Sequence, residues 1–270
     1  MTMATDALPE AHMGAGIGYF TLSITLMQSV APSLGLFLFD RIGYNNTFWC
    51  MSGLTVCNFL FACTLHNKEE EEREKPPFRL SLHSIIAPEC LVVSAIVFLL
   101  SCTFACINGY MVLYADSMNV ENVSLYFTVY ALILLLVRPV VGRLSDQYGT
   151  YRVIFPCMLC YGIAFLVLST ARSLPMFLVA AGISSFGYGG MFPALQAACM
   201  KCVPKERRGS ASSTLYVAVD LAQFFGPIMG SQIISATNSY PTMWRCMELF
   251  ILAATGVALW QRKRIKEIDH

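Results

Sequence analysis

The charged residues of this chain are confined to short segments, and the stretches between them are long enough to limit sharply what it can fold into. Charge-free runs extend from Ala11 to Phe39, Ile42 to Asn67, Cys90 to Ala115, Asn122 to Val137, Val153 to Ala171 and Ser173 to Met200. A further run from Gly209 to Trp244 is broken only by Asp220, and a last apolar segment lies between Arg245 and Arg262. A helix needs about 20 mostly apolar residues to cross a bilayer. The runs therefore predict an all-α, polytopic membrane protein with eight transmembrane helices, at 14–39, 46–66, 85–114, 122–141, 152–170, 174–200, 209–235 and 243–261. Asn238-Ser-Tyr-Pro241 reads as the turn that ends the seventh span.

Composition agrees with that reading and removes several function classes. Only 13% of the residues are charged, about half of what a soluble domain carries. The formal net charge is +1, with no basic run interleaved with aromatics, so nothing points to nucleic acid. Most of the eleven cysteines sit inside apolar runs, where Cys behaves as a small hydrophobe. Cys157–Cys160 and Cys199–Cys202 have C-x-x-C spacing, but no further Cys or His stands at zinc spacing, so no metal and no cofactor is expected. The four histidines fall at segment edges, and no nucleophile–base pair, H-E-x-x-H or paired intramembrane carboxylate is present, which argues against an enzyme. No Lys or Arg precedes the first apolar run, unlike a signal peptide.

The connections alternate in charge. Fifteen of the eighteen Lys and Arg residues fall on one side of the predicted spans, leaving only Arg41, Arg172 and Arg245 on the other. By the positive-inside rule this predicts a multi-pass protein of the cell membrane with both termini in the cytoplasm. The same side holds the stretch from Asn67 to Pro77, rich in Glu, which reads as a solvated linker. The expected organisation is two helices at 1–66, a charged linker at 67–83 and a six-helix bundle at 84–270.

Offset by 195 residues, the chain aligns with itself. Pro9 meets Pro204, Gly14 meets Gly209, Gln28 meets Gln223, Pro32 meets Pro227, Gly35 meets Gly230 and Trp49 meets Trp244. That period is far too long for a solenoid repeat, and it suits one half of a duplicated transporter. It carries the first span onto the seventh, so the repeated unit has six helices and a full pair has twelve. This chain then holds the last eight.

The connection between the fourth and fifth spans reads Gly142-Arg-Leu-Ser-Asp146-Gln-Tyr-Gly149-Thr-Tyr-Arg152. It resembles the cytoplasmic G-x-L-x-D-x-x-G-x-x-R signature of the major facilitator superfamily. A tight turn fits these residues: Gly142 lets helix ends approach, Gly149 tolerates positive φ, and Asp146 stands near Arg138 and Arg152 for pairing. The resemblance implies that the element latches two halves in one gating state, although Gln147 stands where the family usually has a basic residue. The first span keeps Gly18, Pro32 and Gly35 of the family's Gly-rich antiporter pattern, and the seventh repeats Gly226, Pro227 and Gly230. This likeness implies efflux rather than uptake, through helices bent and closely packed at small residues and Pro. Gly182, Gly187, Gly189, Gly190 and Pro193 in the sixth span are similar to the family's flexible tenth helix.

Asp220 is the one acid deep inside a span, where a charge costs about 2.5–3.5 kcal/mol or more, so it should face an interior. Tyr216, Asp220 and Gln223 share one helical face, and the repeat places Thr21, Thr25 and Gln28 on the matching face of the first span. Asn108, Tyr110, Tyr126, Tyr130 and Gln196 are further candidates for a solute and proton pathway. The expected partners are a small solute, protons and the lipid bilayer. The four remaining helices of a first unit would be needed to close a cavity, so a fragment without transport of its own is the alternative.

Overall fold

The computed structural model describes Gly16, Met27, Leu38, Phe39, 41–64 and 86–261. The chain divides into two compact units, Leu26–Leu80 and the remainder. The first predicted span thus lies almost wholly outside the described residues.

In the Leu26–Leu80 unit the described element is a helix, α1, at Tyr44–Cys63. Gly43 opens it with φ 78°, and its carbonyl accepts from both the amide and the hydroxyl of Thr47. Asn46 and Thr55 likewise return their side-chain donors to the carbonyls of Ile42 and Met51, each at 2.9 Å. Polar side chains spent on their own backbone suit a helix in lipid, where no water is present to satisfy them.

The larger unit is a bundle of helices without strands among the described residues. A 3-10 turn at Pro88–Cys90 leads into α2, Leu91–Ser117. Next come α3, Leu125–Tyr148, and α4, Thr150–Thr170. One span follows in two pieces, α5 at Leu174–Ser184 and α6 at Gly190–Lys201, joined by a π-turn at Ser185–Gly189. The last two are α7, Arg208–Thr237, and α8, Tyr240–Trp260. Six helices among the described residues, all in this unit, are long and apolar enough to cross a membrane.

Helix α2 is the centre of the bundle, packed against both α7 and α8, while α8 also packs on α4. Trp244 of α8 is fully buried beside Tyr114 of α2 and Phe165 of α4, with ring centroids 6.0 and 5.7 Å away. The Tyr114 hydroxyl reaches the carbonyls of Leu168 and Ala171 at 3.0 and 2.7 Å, and so caps the end of α4, where carbonyls lack helical partners. The expected turn at Asn238 is present. Asn238 takes the left-handed conformation (φ 50°), and the Ser239 hydroxyl accepts from the Thr242 amide at 3.2 Å.

One expectation is corrected. The fourth span does not end at 141; α3 continues to Tyr148, and one residue, Gly149, separates it from α4. Arg143 and Asp146 end the apolar run, but neither breaks a helix, and hydrogen bonding propagates until Gly149 at φ 86°. In the glycine-rich sixth span the π-turn at Ser185–Gly189 interrupts the helix.

Candidate functional site

Helix α7 has two unlike faces. One buries Ala211, Leu215, Ala222, Gly226 and Gly230. The spacing of the two glycines brings the backbones of α7 and α2 together. A methyl group on Gly226 would stand 2.5 Å from the Cys102 carbonyl oxygen, and one on Gly230 would stand 2.7 Å from the Tyr110 ring. Hydrogen bonds reinforce this seam. The Tyr110 hydroxyl donates to the Pro227 carbonyl at 2.6 Å, and the Cys106 thiol donates to the Gly226 carbonyl at 3.2 Å. Small residues letting backbones meet, with side chains bonding across, is how helices associate without a hydrophobic driving force.

The other face is open. It presents Val217, Asp220, Leu221, Gln223 and Phe224, all exposed. Asp220 lies twelve residues beyond Arg208, about 18 Å along the axis, and so in the middle part of the span. It has no hydrogen-bond or ion-pair partner among the described residues. The packing seam of α7 is taken by glycine and alanine, which leaves the acid on the face turned away from the other helices of this unit. Beside it, Pro227 lacks an N–H, which deprives the Gln223 carbonyl of its helical donor. A carboxylate, an amide and an under-bonded carbonyl thus share one stretch of open face.

An apolar groove of about 420 Å³ adjoins this face, between the first turns of α2 and residues 213–221 of α7. Leu91, Ala95 and Phe98 form one wall, Val217, Ala218 and Leu221 the other. The Ser94 hydroxyl in its lining is buried without a partner among the described residues.

The other candidates distribute unevenly. Gln196 of α6 is fully buried and donates to the Tyr216 hydroxyl at 2.9 Å, so these two are brought together beneath the open face. Asn108 is exposed on α2. Tyr110 is held in the α2–α7 seam by its bond to the Pro227 carbonyl. Tyr126 is fully buried, and the partly buried Tyr130 lies 6.0 Å from Phe104 between ring centroids. Around them stands an aromatic and hydroxyl cluster not foreseen from the sequence. Tyr188 of the π-turn stacks on Phe104 at 4.3 Å and meets the Ser101 hydroxyl at 3.1 Å, and Thr103 lies 3.1 Å from the Tyr161 hydroxyl. The only sequence signal for it was tyrosine inside apolar runs, where a buried O–H needs a partner.

The glycines of the sixth span serve packing. A methyl on Gly187 would meet Tyr161 at 2.6 Å, and one on Gly189 would overlap Leu134. In the signature segment, Gly142 is buried within α3 and is no turn residue, Asp146 is half-buried in the last turn, and Arg152 is exposed in α4. Arg138 and Asp146 lie eight residues apart on one continuous helix, about 12 Å of rise, rather than across a turn. Gly18, Thr21, Thr25, Gln28, Pro32 and Gly35 lie outside the described residues.

Comparison with known proteins places this geometry. The sequence profile of the Major Facilitator Superfamily matches residues 1–121 and 93–266. An uncharacterized MFS-type transporter of Bacillus subtilis (strain 168), YfiU, is 32% identical over 113 residues, covering 42% of this chain and 22% of that protein. An uncharacterized MFS-type transporter of Burkholderia mallei (strain SAVP1) is 29% identical over 162 residues, 59% of this chain and 38% of that protein. These alignments thus span well under half of the curated relatives' length. A solved structure described as a bacterial homologue of the iron transporter ferroportin, in an outward-facing state, is similar in fold. Its TM-score is 0.72 at 16% identity, covering 97% of this chain and 67% of that one.

Proposed function

This chain belongs to the Major Facilitator Superfamily, a family of transporters and not of enzymes, and from that premise we propose that it carries a small solute across the cell membrane by alternating access, coupled to protons and in the outward direction. The observation that carries the coupling is Asp220, a mid-span acid exposed on the open face of α7 with no partner among the described residues. A carboxylate facing hydrocarbon is costly, so that face must meet water, solute or other protein. An acid in such a place can take a proton on one side of the membrane and release it when a solute arrives. The apolar groove beside it favours a solute with a hydrophobic body, and the carboxylate favours a cationic one. An amphipathic organic cation satisfies both.

The two-helix, linker and six-helix organisation supports rocking of two bundles, with Asp146 and its neighbours latching one gating state. The bias of basic residues supports cytoplasmic termini. The remaining helices of a complete twelve would supply the opposite wall.

Proteoliposomes holding the full-length protein provide the test. With a panel of fluorescent organic cations and an imposed pH gradient, the wild type should concentrate dye, while Asp220→Asn should lose concentrative uptake yet retain solute exchange. Undiminished pH-driven accumulation by Asp220→Asn would remove Asp220 from the coupling.

A further inference from the structure

At the end of the bundle where α2 and α7 begin, an apolar groove and a basic segment lie one after the other along the helix axes. The groove is walled by Leu91, Ala95 and Phe98 of α2 and by Val217 and Leu221 of α7. Its α7 side, residues 213–221, covers about 12 Å of rise, which fits within the roughly 15 Å that is half of a bilayer's hydrocarbon core. The basic segment comes just before it. Residues 201–208 hold Lys201, Lys205, Arg207 and Arg208 against Glu206 alone, and the balance stays positive with Glu89 included. Lys205 is exposed, and Arg207 is held at 2.6 Å by Glu89, which lies between the groove residues Ile86 and Leu91. Ser213, where the groove begins on α7, stands five residues beyond Arg208, about 8 Å of rise. The charges are therefore at headgroup depth when the groove is at acyl-chain depth. One polar atom interrupts the apolar lining. Ser94 is 3% exposed, and its hydroxyl has no hydrogen-bond partner among the described residues. Plain hydrocarbon would leave that buried donor unmet, whereas an ester oxygen at the root of an acyl chain would accept from it.

We propose that this groove is a binding site for an anionic phospholipid, with one acyl chain between α2 and α7, an ester oxygen accepting from Ser94, and the phosphate beside Lys205 and Arg207. Charge selects the lipid: each basic residue near an anionic headgroup strengthens binding about fivefold, a gain that a zwitterionic headgroup does not receive. Asp220 does not oppose it, because it lies twelve residues beyond Arg208, about 18 Å along α7 from the basic end. With that end in the cytoplasm, the lipid comes from the inner leaflet, whose surface is anionic. The Val217–Leu221 wall also adjoins the face offered to the proposed solute, so bound lipid and the solute's apolar body compete for it.

The full-length protein in phosphatidylcholine nanodiscs provides the test. A trace of phosphatidylglycerol carrying a diazirine in one acyl chain is the probe, and phosphatidylcholine with the same labelled chain is its comparison. After illumination, labelled peptides are mapped by mass spectrometry. The phosphatidylglycerol probe should label residues 86–98 and 213–221, at least about fivefold more than the phosphatidylcholine probe. Ala95→Phe, at an exposed position that lines the groove, should fill the space and remove that label. Lys205→Gln and Arg207→Gln lie outside the groove and keep the assay open where a filled groove would disturb folding. Each should lower phosphatidylglycerol labelling about fivefold and leave phosphatidylcholine labelling unchanged. The proposal is overturned if the two probes label the groove equally, if the label survives Ala95→Phe, or if the charge variants leave it unchanged. It is overturned as well if residues 86–98 and 213–221 stay unlabelled, as they would beneath another protein segment. None of these readouts depends on transport, so loss of the lipid site leaves the coupling role of Asp220 to its own test.

Discussion

The hydroxyl of Tyr110 lies 2.6 Å from the carbonyl of Pro227, and this bond joins the central helix of the bundle to the helix that carries Asp220. It also positions the ring of Tyr110 against Gly230, so the same residue closes the seam by contact and by donation. Removing only the hydroxyl separates the two effects. Tyr110→Phe should lower stability by about 0.5–1.5 kcal/mol, the net worth of one such bond, and leave the fold intact. Thermal unfolding in detergent against the wild type measures this.

The glycines of α7 are not equivalent. An added methyl at Gly226 meets the Cys102 backbone oxygen, which cannot yield, while at Gly209 it meets nothing within 4 Å. Gly226→Ala should therefore destabilise by about 1–3 kcal/mol through overpacking. Gly209→Ala should be neutral, or stabilise by up to about 1 kcal/mol through helix propensity. Paired melting curves decide it, and equal effects at both sites would contradict the packing.

At Gly149 the constraint is the backbone. With φ 86° and ψ 150° it holds a conformation open to glycine almost alone, and it is the single residue between α3 and α4. Gly149→Ala should cost about 1–3 kcal/mol although the side chain is minimal. Amide exchange localised to residues near 145–152 would show the loosened junction.

The Glu89–Arg207 pair ties the turn before α2 to the turn before α7, with both side chains a third or more exposed. Solvent screens such a pair, so Arg207→Gln should change stability by no more than about 1 kcal/mol. The difference from wild type should shrink at high salt, which melting at two ionic strengths would reveal.

Much of this architecture could be read from residues alone, for a physical reason. Lipid forces backbone groups to pair within a helix, so an apolar run of sufficient length has few alternatives. That is why the spans after residue 85 and the Asn238–Pro241 turn were legible. The extension of α3 to Tyr148 was not, because charge at Arg143 and Asp146 ends an apolar run without ending a helix. Asp220 was legible as an anomaly of composition, but the seam that fixes the face it occupies was not. Which face of α7 is buried depends on Gly226 and Gly230 meeting Cys102 and Tyr110, residues more than a hundred positions away. Tyr110, Tyr126 and Tyr130 read as pathway residues for the same reason: a tyrosine in an apolar run announces a hydroxyl that needs a partner, not where the partner lies.

The π-turn at Ser185–Gly189 has a consequence for any comparison of this span with others. A wider turn inserts one extra residue, so every side chain after it is rotated by about 100° from where a uniform wheel would put it. Gln196, which bonds to Tyr216, lies in this shifted phase. A helical wheel drawn straight through from Leu174 misplaces Gln196 by about 100° around the axis, and an alignment scored for unbroken periodicity will slip by one position at this point.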